Sequence, residues 1–301
     1  MRIRSLILGT VAVAGCAGAQ AWRPMPEPAP EPSQTIAQAP AADWQDIADE
    51  DLLVMDLQGL GRVVIQLAPA FAPVHVANVR AFARGGWWDK ASIYRLQDNY
   101  VAQWGNGDAE VPLPAGVVTK PAAEYERPIL GLVPRPLGYP DAYAPATGHA
   151  AGWPIGYDET RGNAWLTHCY GSVGVGRDLA PDTGTGGELY AVIGHAPRHL
   201  DRNIATIGRV IEGIDLLSSI PRGKEALGFI ADKTKHVPIT RVRIAADMPA
   251  AERPRYQAMR TDSASFVTYV KGRANRGGDF FQVPAGGVDV CNAPVPVRAT
   301  P

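Results

Sequence analysis

Proline constrains this chain more than any other residue. Its 27 prolines are scattered along 301 residues, and each removes a backbone donor and locks φ near about −65°. A bundle of long helices is therefore excluded, and short strands joined by long loops are expected. The apolar runs agree. Leu52–Leu57 and Arg62–Leu67 flank a turn at Gly59–Gly61 and read as a β-hairpin. Pro73 then opens a segment in which Val76, Val79, Phe82 and Ala83 recur at helical spacing until Gly85 stops it.

Further strands are expected at 92–96, 100–103, 171–176, 189–193, 205–210 and 236–244, with a short helix over 212–220 closed by Pro221. Residues 110–165 carry little periodicity and read as a long loop insertion. Residues 250–275 have helical composition, and 282–301 read as an irregular tail. The expected division is a signal peptide over 1–21, a Pro-rich linker over 22–45, a globular domain over 46–246 and a C-terminal extension over 247–301. The linker, PMPEPAPEPSQTIAQAP at 24–40, favours extended polyproline II and reads as a tether.

The N-terminus reads as an export signal. Arg2 and Arg4 precede a short apolar stretch, Leu6–Gly15, that falls below the ~20 residues needed to span a bilayer. Two processing sites compete. Val13-Ala14-Gly15-Cys16 looks like a lipobox that would lipidate Cys16, and Ala19-Gln20-Ala21 like an ordinary cleavage site. The expected location is periplasmic, soluble or anchored to the envelope membrane through that lipid alone. In an oxidising compartment Cys169 and Cys291 could pair, or remain two separate buried thiols.

Several function classes are set aside. A formal net charge of −1 gives no basic excess for nucleic acid. His195 and His199 are separated by Pro197 and do not form a zinc motif, so no metal or other cofactor is expected. The glycines at 171, 174 and 176 do not make a nucleotide fingerprint. His168-Cys169 invites a Cys-His nucleophile, but adjacent strand residues point to opposite faces.

Five segments, in order, resemble the cyclophilins. They are Ile93-Tyr94-Arg95, Tyr100–Asp108, Gly186–Tyr190, Leu200-Asp201-Arg202 and Ile207–Gly213. The stretches Ala164–Gly171 and Arg198–Asn203 are similar to those of the exported proteobacterial branch. This resemblance, over about residues 51–245, implies a mainly β fold, a closed eight-stranded β-barrel capped by two helices. It implies a peptidyl-prolyl cis-trans isomerase acting on proline-containing polypeptides, with its site on the outer wall; a monomer is expected.

The chemistry explains the residue types. An amide resists rotation through conjugation, with a barrier of ~18–20 kcal/mol. Twisting localises the nitrogen lone pair, so a donor aimed at that nitrogen binds the twisted state better than the planar one. Arg95 is the expected donor, and Gln103 is expected to orient it or hold the substrate backbone. The resemblance implies a substrate surface of Tyr94, Tyr100, Val101, Glu188, Tyr190, His199, Leu200, Ile204 and Ile207. For Val101 and Ile207 the alternative is plain barrel core. The sequence departs from the family pattern at Ile207, where an aromatic is usual, at Ile204, in place of a pocket histidine, and at His199, in place of a tryptophan. Glu188 replaces a glutamine and Trp104 interrupts a Gly-Gly pair. Those changes keep a second reading open, a non-catalytic proline-peptide binding or scaffold module of the envelope.

Overall fold

The computed structural model describes residues 29–107, 111–277 and 279–300. The expected signal peptide, Cys16 and the first part of the linker lie outside the described residues. The described chain begins with helix α1 (Pro32–Gln38) and strand β1 (Trp44–Asp46). The hairpin follows as β2 (Leu52–Leu57) and β3 (Gly61–Leu67), then α2 (Pro73–Arg84), β4 (Ser92–Leu96) and β5 (Val101–Gly105). The insertion contributes β6 (Arg127–Pro128), β7 (Arg135–Pro136), β8 (Ala146–Ala150), β9 (Trp153–Asp158) and β10 (Asn163–Leu166). Strands β11 (Ser172–Val175), β12 (Leu189–Val192) and β13 (Thr206–Glu212), helix α3 (Ile214–Ser219) and strand β14 (Val237–Ile244) come next. The chain ends with β15 (Tyr256–Met259), α4 (Ala264–Ala274) and β16 (Val297–Ala299).

Eight strands close a barrel in the order β11-β12-β5-β4-β14-β2-β3-β13. Its interior is filled by side chains such as Leu53, Met55, Ile65, Ile93, Leu96, Trp104 and Val173. Helix α2 adds Val76, Val79, Phe82 and Ala83 to the same core, so the expected stripe is the buried one. Pro73 stands in the first turn, where its missing N–H would be unpaired anyway.

The unbroken apolar run Leu52–Met55 reflects burial on both faces. Leu53 and Met55 point into the barrel. Leu52 and Val54 point outward and are covered by Trp44, Met259, Phe266 and Tyr269. That outer layer is the three-stranded sheet β1-β15-β16 with α4.

Two segments are more ordered than their composition suggests. The 110–165 region, expected as a loop, holds a five-stranded antiparallel sheet, β6-β10-β9-β8-β7. Its apolar face (Trp153, Ile155, Tyr157, Leu166) packs on Ala68 and Phe71, just after β3. Within the expected tether, Pro32–Gln38 is helical and packs on α4, with Thr35 buried. Pro32 starts this helix rather than preventing it, because proline suits the first helical turn.

Cys169 and Cys291 are joined in a disulfide across 122 residues of sequence. The bond fastens the C-terminal tail to the barrel beside β11. A cross-link over so long a loop restricts the unfolded chain strongly. Cys169→Ser is expected to lower unfolding free energy by ~2–5 kcal/mol, read from denaturant melts of oxidised wild type and variant.

Candidate active site on the barrel wall

The site begins with an irregularity in β4. Ile93 pairs with Trp104, but Arg95, not Tyr94, takes the next place opposite Gln103. One residue is thus inserted into β4, a bulge of the kind that re-aims side chains. Ile93 and Leu96 stay fully buried in the barrel. Tyr94 and Arg95 therefore both project from the outer wall, where strict alternation would have sent one inward.

Neighbouring strands complete the surface. On β5, Ala102 and Trp104 point inward, leaving Val101 and Gln103 outside. On β12, Leu189 and Ala191 point inward, leaving Tyr190 outside and opposite Gln103. Arg95, Gln103 and Tyr190 so form one row across three strands.

Arg95 is held on three sides. Its Nε donates to the Leu227 carbonyl (2.8 Å), Nη1 to Gln103 Oε1 (2.8 Å) and Nη2 to Gln97 Oε1 (2.7 Å). Its guanidinium also stands 5.6 Å from the centre of the Phe229 ring. Of its five N–H groups, one on each terminal nitrogen has no acceptor among the described residues and is open to another. Burial pulls the Arg95 pKa below its ordinary value, and Tyr100, Tyr94 and Tyr190 oppose that pull.

A relay fixes Gln103. Its Oε1 must face Arg95, which has only donors, so its Nε2 donates to the Tyr94 hydroxyl oxygen (2.7 Å). The Tyr94 hydroxyl then donates to Glu188 Oε2 (2.6 Å), and Glu188 Oε1 accepts from the Gly107 N–H (3.1 Å). Burial raises the Glu188 pKa, while the hydrogen bonds from Tyr94 and Gly107 work the other way. The Tyr94 pKa is raised, first by burial and then by the adjacent Glu188. Tyr94 and Glu188 thus serve as supports of the Arg95–Gln103 pair.

Beside that pair lies a small apolar cluster. Val101, Tyr190 and Val192 are buried in it, and Tyr100, Leu200 and Ile204 pack against it. His199 is exposed and stacks on Tyr100 with ring centres 6.1 Å apart. Tyr190 lies directly over Gly174, where an added Cβ would fall 2.3 Å from the tyrosine ring. Only glycine leaves that place to the ring.

Beneath the cluster runs a buried polar chain. The Tyr190 hydroxyl meets His168 Nε2 at 3.0 Å, and His168 Nδ1 meets Asp201 Oδ1 at 3.0 Å. Asp201 also accepts from the His168 backbone N–H and from Arg198, and Arg198 donates to Asp141. The two ring nitrogens of His168 thus bridge the Asp201 carboxylate and the Tyr190 hydroxyl. Burial opposes ionisation of Asp201, but His168 and Arg198 more than offset it and hold its pKa below the ordinary value.

Residues 52–245 match the family model described as "Cyclophilin type peptidyl-prolyl cis-trans isomerase/CLD". The chain belongs to the cyclophilin family. Its activity is that of a peptidyl-prolyl cis-trans isomerase. No curated protein matches it. Among solved structures it is similar to the cyclophilin AquaCyp293 from Hirschia baltica. Identity is 24%, coverage is 85% of this chain and 93% of that one, and the TM-score is 0.67. A Cryptosporidium parvum cyclophilin-type isomerase solved with the dipeptide Ala-Pro shares 13% identity. It covers 64% of this chain and 98% of its own, with a TM-score of 0.40.

Of the substrate surface expected from the cyclophilin resemblance, Tyr100, Val101, Tyr190, Leu200 and Ile204 come together, with His199 at the rim. Ile207 does not join them. It is fully buried in the barrel interior. The pairing of β11 with β13 shifts between Gly174–Thr206 and Val173–Gly208, leaving Ile207 as an extra residue that turns inward. The sequence reading also missed Gln97, the Leu227 carbonyl, Phe229 and His168. Phe229 had one signal, a lone aromatic after Gly228 in the loop between α3 and β14, but no local pattern ties it to Arg95.

Phe229 stacks on Tyr94 with ring centres 6.0 Å apart, as well as facing Arg95. It is itself 41% exposed, so its loss should hardly affect folding. Phe229→Ala is expected to lower kcat/KM about tenfold, as one positioning contact of ~1–2 kcal/mol would. Phe229→Tyr should restore it, whereas equal loss in both variants would assign the ring no positioning role.

Proposed function

We propose that X-Pro rotation occurs on the outer wall over β4, β5 and β12, with Arg95 acting on the twisted bond. The observation that carries this reading is the fixed guanidinium with two unused N–H groups beside an apolar cluster. The proline ring would rest on Val101, Tyr190, Leu200 and Ile204, with Tyr100 and His199 bordering it. An Arg95 N–H would then donate to the prolyl nitrogen as its lone pair localises. Gln103 keeps the fork aligned, and Tyr94 and Glu188 keep Gln103 aligned. Donors that need no rearrangement favour the twisted state over the planar one. No covalent intermediate is required.

We further propose that the substrates are proline-containing segments of exported envelope proteins. The N-terminal signal pattern of residues 2–21 supports export, and the Cys169–Cys291 bond is consistent with an oxidising compartment. Lipid attachment at Cys16 and cleavage after Ala21 are the two routes the sequence supports, and acyl labelling of wild type against Cys16→Ser distinguishes them. The groove assignment is tested by titrating a short Ala-Pro peptide into labelled protein. Amide shifts should centre on Arg95, Gln103 and Tyr190; shifts confined to another face would overturn the assignment.

A further inference from the structure

A second cavity lies away from the Arg95 groove. It holds about 250 Å³ and sits where the barrel, the inserted sheet and the C-terminal tail meet. Trp153 and Leu166 line it from the insertion, Val290 and Val295 from the tail, and the Cys169–Cys291 bond closes one side. Among these mostly apolar walls stands Arg209, on the outer face of β13.

The partners of Arg209 are unusual for a guanidinium in such a place. Nε and Nη2 both donate to one oxygen, Gln66 Oε1 (3.0 and 2.7 Å), and the guanidinium carbon lies 4.6 Å from the centre of the Trp153 ring. Among the described residues no carboxylate pairs with it. The two N–H groups of Nη1 and one of Nη2 have no acceptor among the described residues. Removal from water pulls its pKa down to about 10, with no anion nearby to raise it again. Arg209 is partly buried, and a cation drawn from water without an anion is costly to maintain.

We propose that this cavity binds a small monocarboxylate with an apolar body, its carboxylate on Arg209 and its body against Trp153 and the tail valines. The fork of a guanidinium matches a carboxylate in geometry as well as charge. The volume suits the body too, since an apolar cavity of ~150 Å³ already accommodates benzene. One aromatic ring with a carboxylate is therefore within range, and a peptide is not.

The test uses benzoate as probe and benzyl alcohol as its uncharged counterpart, titrated calorimetrically into the oxidised full chain at constant ionic strength. Wild type is expected to bind benzoate saturably, with benzyl alcohol at least about tenfold weaker. Arg209→Gln should weaken benzoate by at least about tenfold and leave peptide isomerisation unchanged. The comparison of the two probes on wild type stands even if the variant folds poorly. Absence of saturable benzoate binding, or equal binding of the alcohol, would overturn the proposal.

Discussion

Arg95→Ala is expected to lower kcat/KM for X-Pro isomerisation by ~10²–10³-fold. That is the loss seen when one preorganised donor to a developing charge is removed, and it corresponds to ~3–4 kcal/mol of transition-state stabilisation. Arg95→Lys should not restore the rate. An ammonium is a point charge on a flexible stem and cannot hold Leu227, Gln103 and Gln97 while donating again. Stability should change little, because Arg95 is only half-buried and its partners can turn to water. The check is exchange kinetics alongside thermal melts. A variant that keeps wild-type turnover would mean another group acts on the bond.

The largest effect on stability is expected at Asp201, which is 5% exposed. Asp201→Ala removes the acceptor for the His168 ring and backbone N–H and for Arg198. Removing one member of a buried charge network typically costs ~3–5 kcal/mol; here Arg198 keeps Asp141, while the His168 ring and backbone N–H groups lose their acceptor. Tyr190 should also loosen, because His168 would no longer be held beneath it, so peptide affinity should fall together with Tm. The pH dependence has a definite sign. Asp201 has a lowered folded-state pKa, so its contribution is present above the unfolded carboxylate range near ~4 and is lost as pH falls through the folded value. Acid unfolding of wild type should therefore steepen below about pH 4, and the Asp201→Ala variant should lack that component. A variant within ~1 kcal/mol of wild type would show that the network is not a major support.

The parts of this fold that are legible in sequence are those governed by local pattern. The hairpin around Gly59–Gly61 and the helix between Pro73 and Gly85 follow from periodicity and breakers. Arg95 and Gln103 were found through ordered motifs, and the β4–β5 pairing puts them opposite each other. What escaped depends on partners distant in sequence. Strands β6 and β7 are two residues each and contain proline, so only their place beside β10 and β8 makes them strands. Helix α1 is too short to stand alone and exists against α4. For Ile207 the sequence leaves substrate surface and barrel core both open, and it lies in the core beside a bulge that leaves no periodic trace. Phe229 reaches Arg95 from a loop more than a hundred residues away, which composition cannot reveal.

The central claim is that this barrel wall accelerates rotation about X-Pro bonds. The most direct test is exchange spectroscopy of a short Ala-Pro peptide with a catalytic amount of folded wild-type protein. Cross-peaks linking the cis and trans signals within about a second are expected, against uncatalysed exchange that takes roughly 10–100 s. Exchange no faster than in peptide alone, with the protein folded and the peptide bound, would contradict the account and leave a proline-peptide binding module in its place.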